Sequence, residues 1–332
     1  GTPSQSDIGV YPVEITVNDG NYGGDDTISF SIGVNRSLGD EITHTLGATG
    51  LDQIESSVKL WLNGFNIDGN NNTTLEKNDL VGKWVDLSGN SNHAIQPSND
   101  HRPLFSTDAW VRSLWRSQGG NEYDTGIPGI RFYTDLSRHV FDTISYGNGI
   151  ETRGVNFQVD TPIEDDFTIV IIANTIHTGA GGGGGYMGAI GVIGDQTDFG
   201  MAFGNGVIWH GVHDTGTQAG VDENTFMSQS RSIQLFQRNQ SEGWIKFSAH
   251  DSTPDRIKTG ISTDPIDTTT TYIGSTGVNG AYNSSQINGH IHEVMIFDEV
   301  LTEDQLIKLY AYLATKWSFR VATDSDGDGV ED

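Results

Sequence analysis

The chain of 332 residues is 35% hydrophobic, enough to bury a core in one large or two to three small domains. Its 44 acidic and 18 basic residues give a formal charge of -26, so a phosphate backbone or an anionic bilayer would repel it, and nucleic-acid and membrane-surface roles are disfavoured. With no cysteine there is no disulfide frame, no thiolate nucleophile and no Cys-ligated zinc or iron–sulfur cluster.

At the N-terminus Val10, Val13, Ile15 and Val17, then Ile28, Phe30 and Ile32, alternate with polar residues on either side of Asn18-Asp19-Gly20. This is the pattern of a β-hairpin, and a hairpin alone cannot bury its apolar face. Its partner strands are expected from elsewhere in the chain or from a neighbouring one. The stretch 1–11, the Val-Asn-Asp-Gly turn and the strand closing at Gly33-Val34 resemble the second half of the Ig-like or cadherin-like modules of bacterial surface proteins.

From Gly39 onward short apolar runs alternate with polar turns. Strands are predicted at 57–62, 82–86, 129–132, 167–173, 189–193, 199–203, 207–211, 233–238, 244–249, 272–274 and 291–297, with long irregular loops between about 90 and 160. One helix stands out. Thr302 and Gln305 form a capping box, and Leu306, Leu309, Tyr310, Leu313 and Trp317 make one apolar stripe that should lie on a sheet. Many strands with one helix predict an all-β sandwich. No period of 20 to 50 residues recurs, which excludes a solenoid. No apolar run approaches a membrane span or signal peptide, so the segment is expected to be soluble, with any export signal outside it.

The runs Val58-Lys59-Leu60-Trp61-Leu62, 84–94 (W-V-D-L-S-G-N-S-N-H-A), 126–132 (G-I-P-G-I-R-F), Asp198-Phe199-Gly200 and 288–297 (N-G-H-I-H-E-V-M-I-F), with the closing helix, resemble successive landmarks of bacterial concanavalin A-like or laminin G-like domains. The resemblance covers roughly 50–320. The longer segment at 133–160 and the glycine run at 181–185 depart from it. It implies a concanavalin A-like jelly-roll sandwich at 37–320, after a partial Ig-like or cadherin-like module at 1–36. An acidic calcium-binding linker would follow at 321–332. The setting it implies is a large, RTX-type bacterial surface adhesin.

Two segments carry oxygen ligands at calcium-loop spacing. Asp324, Asp326 and Asp328 occupy positions 1, 3 and 5 of one loop, where Gly329 permits a turn; the twelfth position lies past residue 332. This run also resembles thrombospondin type 3 repeats and adhesin linkers, and the alternative is a solvated acidic tail. In 68–79, Asp68, Asn70, Asn72 and Asp79 stand among oxygen-bearing positions, yet Thr73 replaces the glycine wanted at position 6. Either calcium binds there, or the segment is a polar turn whose Asn residues satisfy their own backbone.

Catalysis finds little support. The run 178–188 contains G-x-G-x-x-G after a strand, but a strand rather than a helix should follow, which removes a dinucleotide fold. No strand shows the E-x-D-x-E pairing of concanavalin A-like glucanases. Glu293 shares a face with Met295 and Phe297, and His290 with His292 reads as a core or edge pair. There is no G-x-S-x-G elbow.

Sugar sites pair an aromatic face with side chains that grip hydroxyls. The glycine-rich loop with Gly183, Gly184, Gly185 and Tyr186, followed by Asp195, Asp198, His210, His213 and Asp214, offers such a set at one rim, with Asp195 or Asp214 holding calcium. Trp209 belongs either to this set or to the core of its alternating run. Asn279, Tyr282 and Asn283 are a second possible wall or surface decoration. The expected function is calcium-dependent, non-catalytic binding of an extracellular glycan, a glucan among them, or of a host surface protein, for attachment or biofilm formation from the bacterial surface. The alternatives are capture of protein C-termini, an accessory domain of a secreted polysaccharide-degrading enzyme, and a plain spacer.

Overall fold

A computed structural model describes residues 9–18, 25–34, 56–111, 121–132, 156–160, 163, 165–175, 187–191, 199–204, 207–214, 217–223, 232–249, 256–261, 263, 270–275, 287 and 289–317. The chain is mostly β, with antiparallel sheets forming a sandwich and one C-terminal helix.

The opening hairpin joins β1 (Gly9–Asn18) to β2 (Asp25–Val34) in register from Gly9 opposite Val34 to Asn18 opposite Asp25. Among the described residues no third strand joins it. The partner expected from elsewhere in the chain is therefore not found within them.

Eight strands form the first sheet of the sandwich: β4 (Lys83–Trp84), β5 (Ala94–Ile95), β8 (Phe157–Val159), β10 (Met187–Gly191), β11 (Phe199–Gly204), β12 (Val207–Asp214), β13 (Thr217–Glu223) and β17 (Thr271–Ile273). Their spatial order is β13-β12-β11-β10-β17-β8-β5-β4. The second sheet holds β6 (Leu104–Val111), β7 (Asn121–Arg131), β9 (Phe167–Thr175), β14 (Ser232–Asn239), β15 (Trp244–Ala249), β16 (Arg256–Thr259) and β18 (Gly289–Phe297), ordered β16-β15-β14-β9-β18-β7-β6. β3 (Val58–Asn63) pairs with β18 beside this path.

Alternation sorts the apolar residues between two cores. Trp84, Ala94, Phe157, Ile190 and Ile273 of the first sheet meet Ile169, Ile171, Phe236 and Ile296 of the second. The other face of the second sheet presents Val170, Ile172, Leu235, Met295 and Phe297 to the helix. β9 is therefore covered on both sides, which is why it reads as an unbroken apolar run. On β18 a bulge between Ile291 and Glu293 shifts the alternation and leaves His290, His292 and Glu293 off the inter-sheet core.

The helix α1 (Glu303–Lys316) begins as its capping box predicts. The Thr302 amide donates to Gln305 Oε1 at 2.7 Å, and the Gln305 amide donates to Thr302 Oγ1 at 3.4 Å. Leu306, Leu309, Leu313 and Trp317 are buried against the sheet. Thr302→Ala is expected to lower stability by about 1 kcal/mol, read as a shift of the urea midpoint at constant slope.

Within the stretch between about 90 and 160, where long loops are expected around a strand at 129–132, the described residues also hold β5, β6, the earlier part of β7 and β8, while 112–120 and 133–155 lie outside them. Only the end of β7 is anticipated by the strand expected at 129–132; its earlier part escapes sequence patterning because Gly126 and Pro128 read as breakers. Pairing with β6 passes from Gly129 opposite Ser106 to Asp124 opposite Asp108, so Pro128 lies in an irregularity where no ladder bond is required. Gly129 is needed for packing, since a Cβ there would stand 2.6 Å from His292 Nδ1. β13 and β16 were likewise not expected.

Candidate functional site

The segment 68–79 folds into a self-capped loop. Asp68 Oδ1 accepts from the amides of Asn70 (2.7 Å) and Asn72 (2.8 Å). Its Oδ2 accepts from the Thr74 amide (3.0 Å) and hydroxyl (2.6 Å). Partial burial pushes the Asp68 carboxyl up, but hydrogen bonds from Thr74, Asn70 and Asn72 together hold it below the usual Asp value. Asn72 Oδ1 accepts from the Ile67 amide while its Nδ2 donates to the Gly64 carbonyl. Asn70 Nδ2 donates to Thr73 Oγ1, and Asp79 Oδ2 accepts from the Glu76 amide. In place of a glycine at position 6, the turn uses Gly69, Asn71 and Asn72 with φ of 78°, 55° and 59°. A cation bound by Asp68 would have to displace four internal donors. No group of three or more metal-ligating His, Asp or Glu side chains occurs among the described residues.

The landmark run 84–94 has a structural task. Asp86 Oδ1 accepts from the amides of Trp61 and Ser88, and its Oδ2 from the Ser88 hydroxyl and the Asn92 amide, all at 2.8–2.9 Å. The Asp86 amide donates to His93 Nδ1, which fixes that imidazole as neutral with its proton on Nε2. Burial first and Lys83 second push the His93 pKa down against the opposing pull of Asp86. Beyond Asp86, Asn90 Nδ2 reaches the Val58 carbonyl and Asn92 Nδ2 that of Lys59, so side chains occupy the outer edge of β3.

A second buried carboxylate ties the helix down. Glu293 Oε1 accepts from Trp61 Nε1 at 2.6 Å and from Lys316 Nζ at 2.8 Å, and Oε2 accepts from Trp317 Nε1. The Lys316 ammonium also lies 5.1 Å from the Trp61 ring centre and 5.5 Å from that of Tyr312. Beside this cluster His292 Nδ1–H donates to the Pro128 carbonyl at 2.9 Å, and the His290 and His292 rings stack at 6.0 Å. His290, His292 and Glu293 are all three buried, with the bulge between Ile291 and Glu293 setting their faces.

Of the expected binding residues, Gly183, Gly184, Gly185, Tyr186, Asp195 and Asp198 lie outside the described residues, as do Asp324, Asp326 and Asp328. So do Asn279, Tyr282 and Asn283. His210, His213 and Asp214 all belong to β12. The pleat separates them: position 210 pairs with Met201 and Val221 in the row that contains buried Ile190, whereas position 213 shares the opposite face with 209 and 211. Asp214, at the strand end, falls on the face of position 210. The three described members of the expected set thus fall on two faces of β12, and the others lie outside the described residues.

No family model matches the chain. No curated protein matches it either. Among solved structures, the Ruminococcus gnavus IT-sialidase CBM40 bound to α2,3 sialyllactose is similar at 15% identity and a TM-score of 0.40, over 47% of this chain and 92% of that one. A structure of botulinum neurotoxin type C, whose cell entry depends on interaction with two ganglioside molecules, is similar at 12% identity and a TM-score of 0.47, over 79% of this chain and 52% of that one. The binding domain of botulinum neurotoxin serotype G is similar at 10% identity and a TM-score of 0.46, over 77% and 51% respectively.

Proposed function

We propose that the chain is a non-catalytic glycan-binding module of a bacterial surface adhesin, stabilised by calcium. The observation that carries the reading is how its buried acids are used. Asp86 and Glu293, the acidic residues buried among the described ones, have both carboxylate oxygens engaged by structural donors. Neither is poised to move a proton to or from a substrate. A formal charge of -26 opposes acidic ligands, so the favoured glycan is uncharged, a glucan first.

Calorimetry with neutral and sialylated oligosaccharides and with C-terminal peptides, alongside a polysaccharide turnover assay, tests the reading. Saturable binding of a neutral glycan without turnover supports it. Turnover, or binding of peptides alone, overturns it. Calcium should raise the melting temperature, since an ion bound only to the native state contributes about 2.7 kcal/mol at a hundredfold excess over Kd. Equal melting temperatures in calcium and in chelator would remove the metal from the proposal. The ligands proposed are Asp324, Asp326 and Asp328, with the 68–79 loop reorganising if it takes part.

A further inference from the structure

Asn63, the last residue of β3, is fully buried, yet only one end of its carboxamide is used. Its Oδ1 accepts from the Phe65 amide at 2.9 Å and so caps the one-turn 3-10 helix Gly64–Asn66. Its Nδ2 is buried and has no hydrogen-bond partner among the described residues. Serine or aspartate would cap that turn equally well without burying an idle N–H group, so capping does not account for the carboxamide.

The strand register sets its neighbours. Asn63 stands directly opposite Glu293 of β18, on the helix-facing side of the sheet that also carries Trp61 and Met295. Residues so opposed hold their Cβ atoms about 4.5–5.5 Å apart. The Glu293 carboxylate in turn lies 2.8 Å from Lys316 Nζ, and the two side chains are 1% and 11% exposed. Phe65, whose amide holds Asn63 Oδ1, packs its ring 4.8 Å from that of Trp317, and the Trp317 indole donates to Glu293 Oε2. Amide, carboxylate and amine are thereby gathered in one cluster, with the rings of Trp61, Tyr312 and Trp317 around the amine.

These are the parts needed to join an amine to a carboxamide. The carboxylate can carry protons between the two nitrogens, and the Phe65 N–H already points at the oxygen on which negative charge would develop. Burial keeps out the water that would otherwise compete as nucleophile.

We propose that Lys316 and Asn63 close an intramolecular isopeptide bond with Glu293 as the proton carrier. Lys316 Nζ gives one proton to Glu293 Oε1, and the freed amine, on its flexible four-carbon stem, attacks Asn63 Cγ. The carbonyl electron pair moves onto Oδ1, held by the Phe65 N–H. Glu293 passes its proton to Nδ2 and takes one from Nζ. The Cγ–Nδ2 bond then breaks with its electron pair on nitrogen, the carbonyl re-forms, and ammonia leaves, removing the Glu293 proton as ammonium. Nothing is oxidised or reduced. The bond ties β3 to α1, the first and last described elements of the sandwich, so a pull on either loads a covalent link rather than side-chain packing. The inference goes beyond the glycan reading and does not depend on it.

Intact-mass spectrometry and a tryptic digest of the full chain test it. The parent chain should weigh less than its sequence by one ammonia. Trypsin should fail to cut after Lys316, and residues 60–77 should be recovered joined to 309–320. Lys316→Arg, which keeps a cation beside Glu293, should restore the full mass, and so should Glu293→Gln. Full mass in the parent chain after prolonged incubation and mild heating overturns the proposal. So does an ammonia deficit that persists in Lys316→Arg, because it then marks a cyclic imide at an Asn-Gly pair such as Asn63-Gly64. Undiminished closure in Glu293→Gln overturns the role given to the carboxylate. Should the variants not fold, the digest of the parent chain decides alone: recovery of the joined pair sustains the proposal, and its absence overturns it.

Discussion

Glu293→Ala is expected to destabilise the sandwich by about 3–5 kcal/mol, the range for removing one partner of a buried ion pair. The carboxylate is 1% exposed and serves two indole N–H groups and the Lys316 ammonium, so its loss strands three donors where little water reaches. Glu293→Gln keeps one acceptor oxygen but turns an N–H toward groups that only donate, and should cost less than alanine and more than a surface substitution. Urea denaturation at constant slope measures both. A change below about 1 kcal/mol in the alanine variant would show that the cluster relaxes around the gap.

Acid should weaken the same region. Burial pushes the fully buried His290 well below its usual value of 6.5, and the neighbouring His292 and Arg131 push in the same direction. The unfolded chain thus binds a proton at His290 that the folded chain refuses, so stability rises with pH. The contribution is complete above about 6.5 and is lost as pH falls from there toward the lower folded pKa, by at most about 1.4 kcal/mol per pH unit. His93, which must stay neutral to accept from the Asp86 amide, acts with the same sign. Comparing urea midpoints at about pH 7.5 and about pH 5 tests this. His290→Leu should flatten the profile; an unaltered slope would place the acid sensitivity elsewhere.

The helix is legible in the sequence because its determinants are local: Thr302 and Gln305 sit three residues apart, and the stripe from Leu306 to Trp317 needs only helical geometry. β9 is legible because both its faces are apolar. Legibility fails where a property depends on pairing. Pro128 reads as a breaker until pairing with β6 shows it inside an irregularity of β7 that accommodates it. Glu293 is isolated in sequence but meets Trp61 from 232 positions away. The candidate site divides in the same manner. Asp68 and the Asn residues of its loop lie close together in sequence, whereas Asn63 meets Glu293 only through the register of β3 with β18, and Lys316 only through the docked helix.

The side chains that seal β3 bear on self-association within a single chain. β1 and β2 expose strand edges not taken up by any described strand, and only residues 35–57 separate β2 from β3. An open strand edge is a template for adding strands. On β3, Asn90 and Asn92 already occupy the carbonyls of Val58 and Lys59, and Asp86 already holds the Trp61 amide. The run Asp86-Leu87-Ser88-Gly89-Asn90-Ser91-Asn92 thus leaves these β3 groups already satisfied, so a strand added at this edge would first have to displace its side chains.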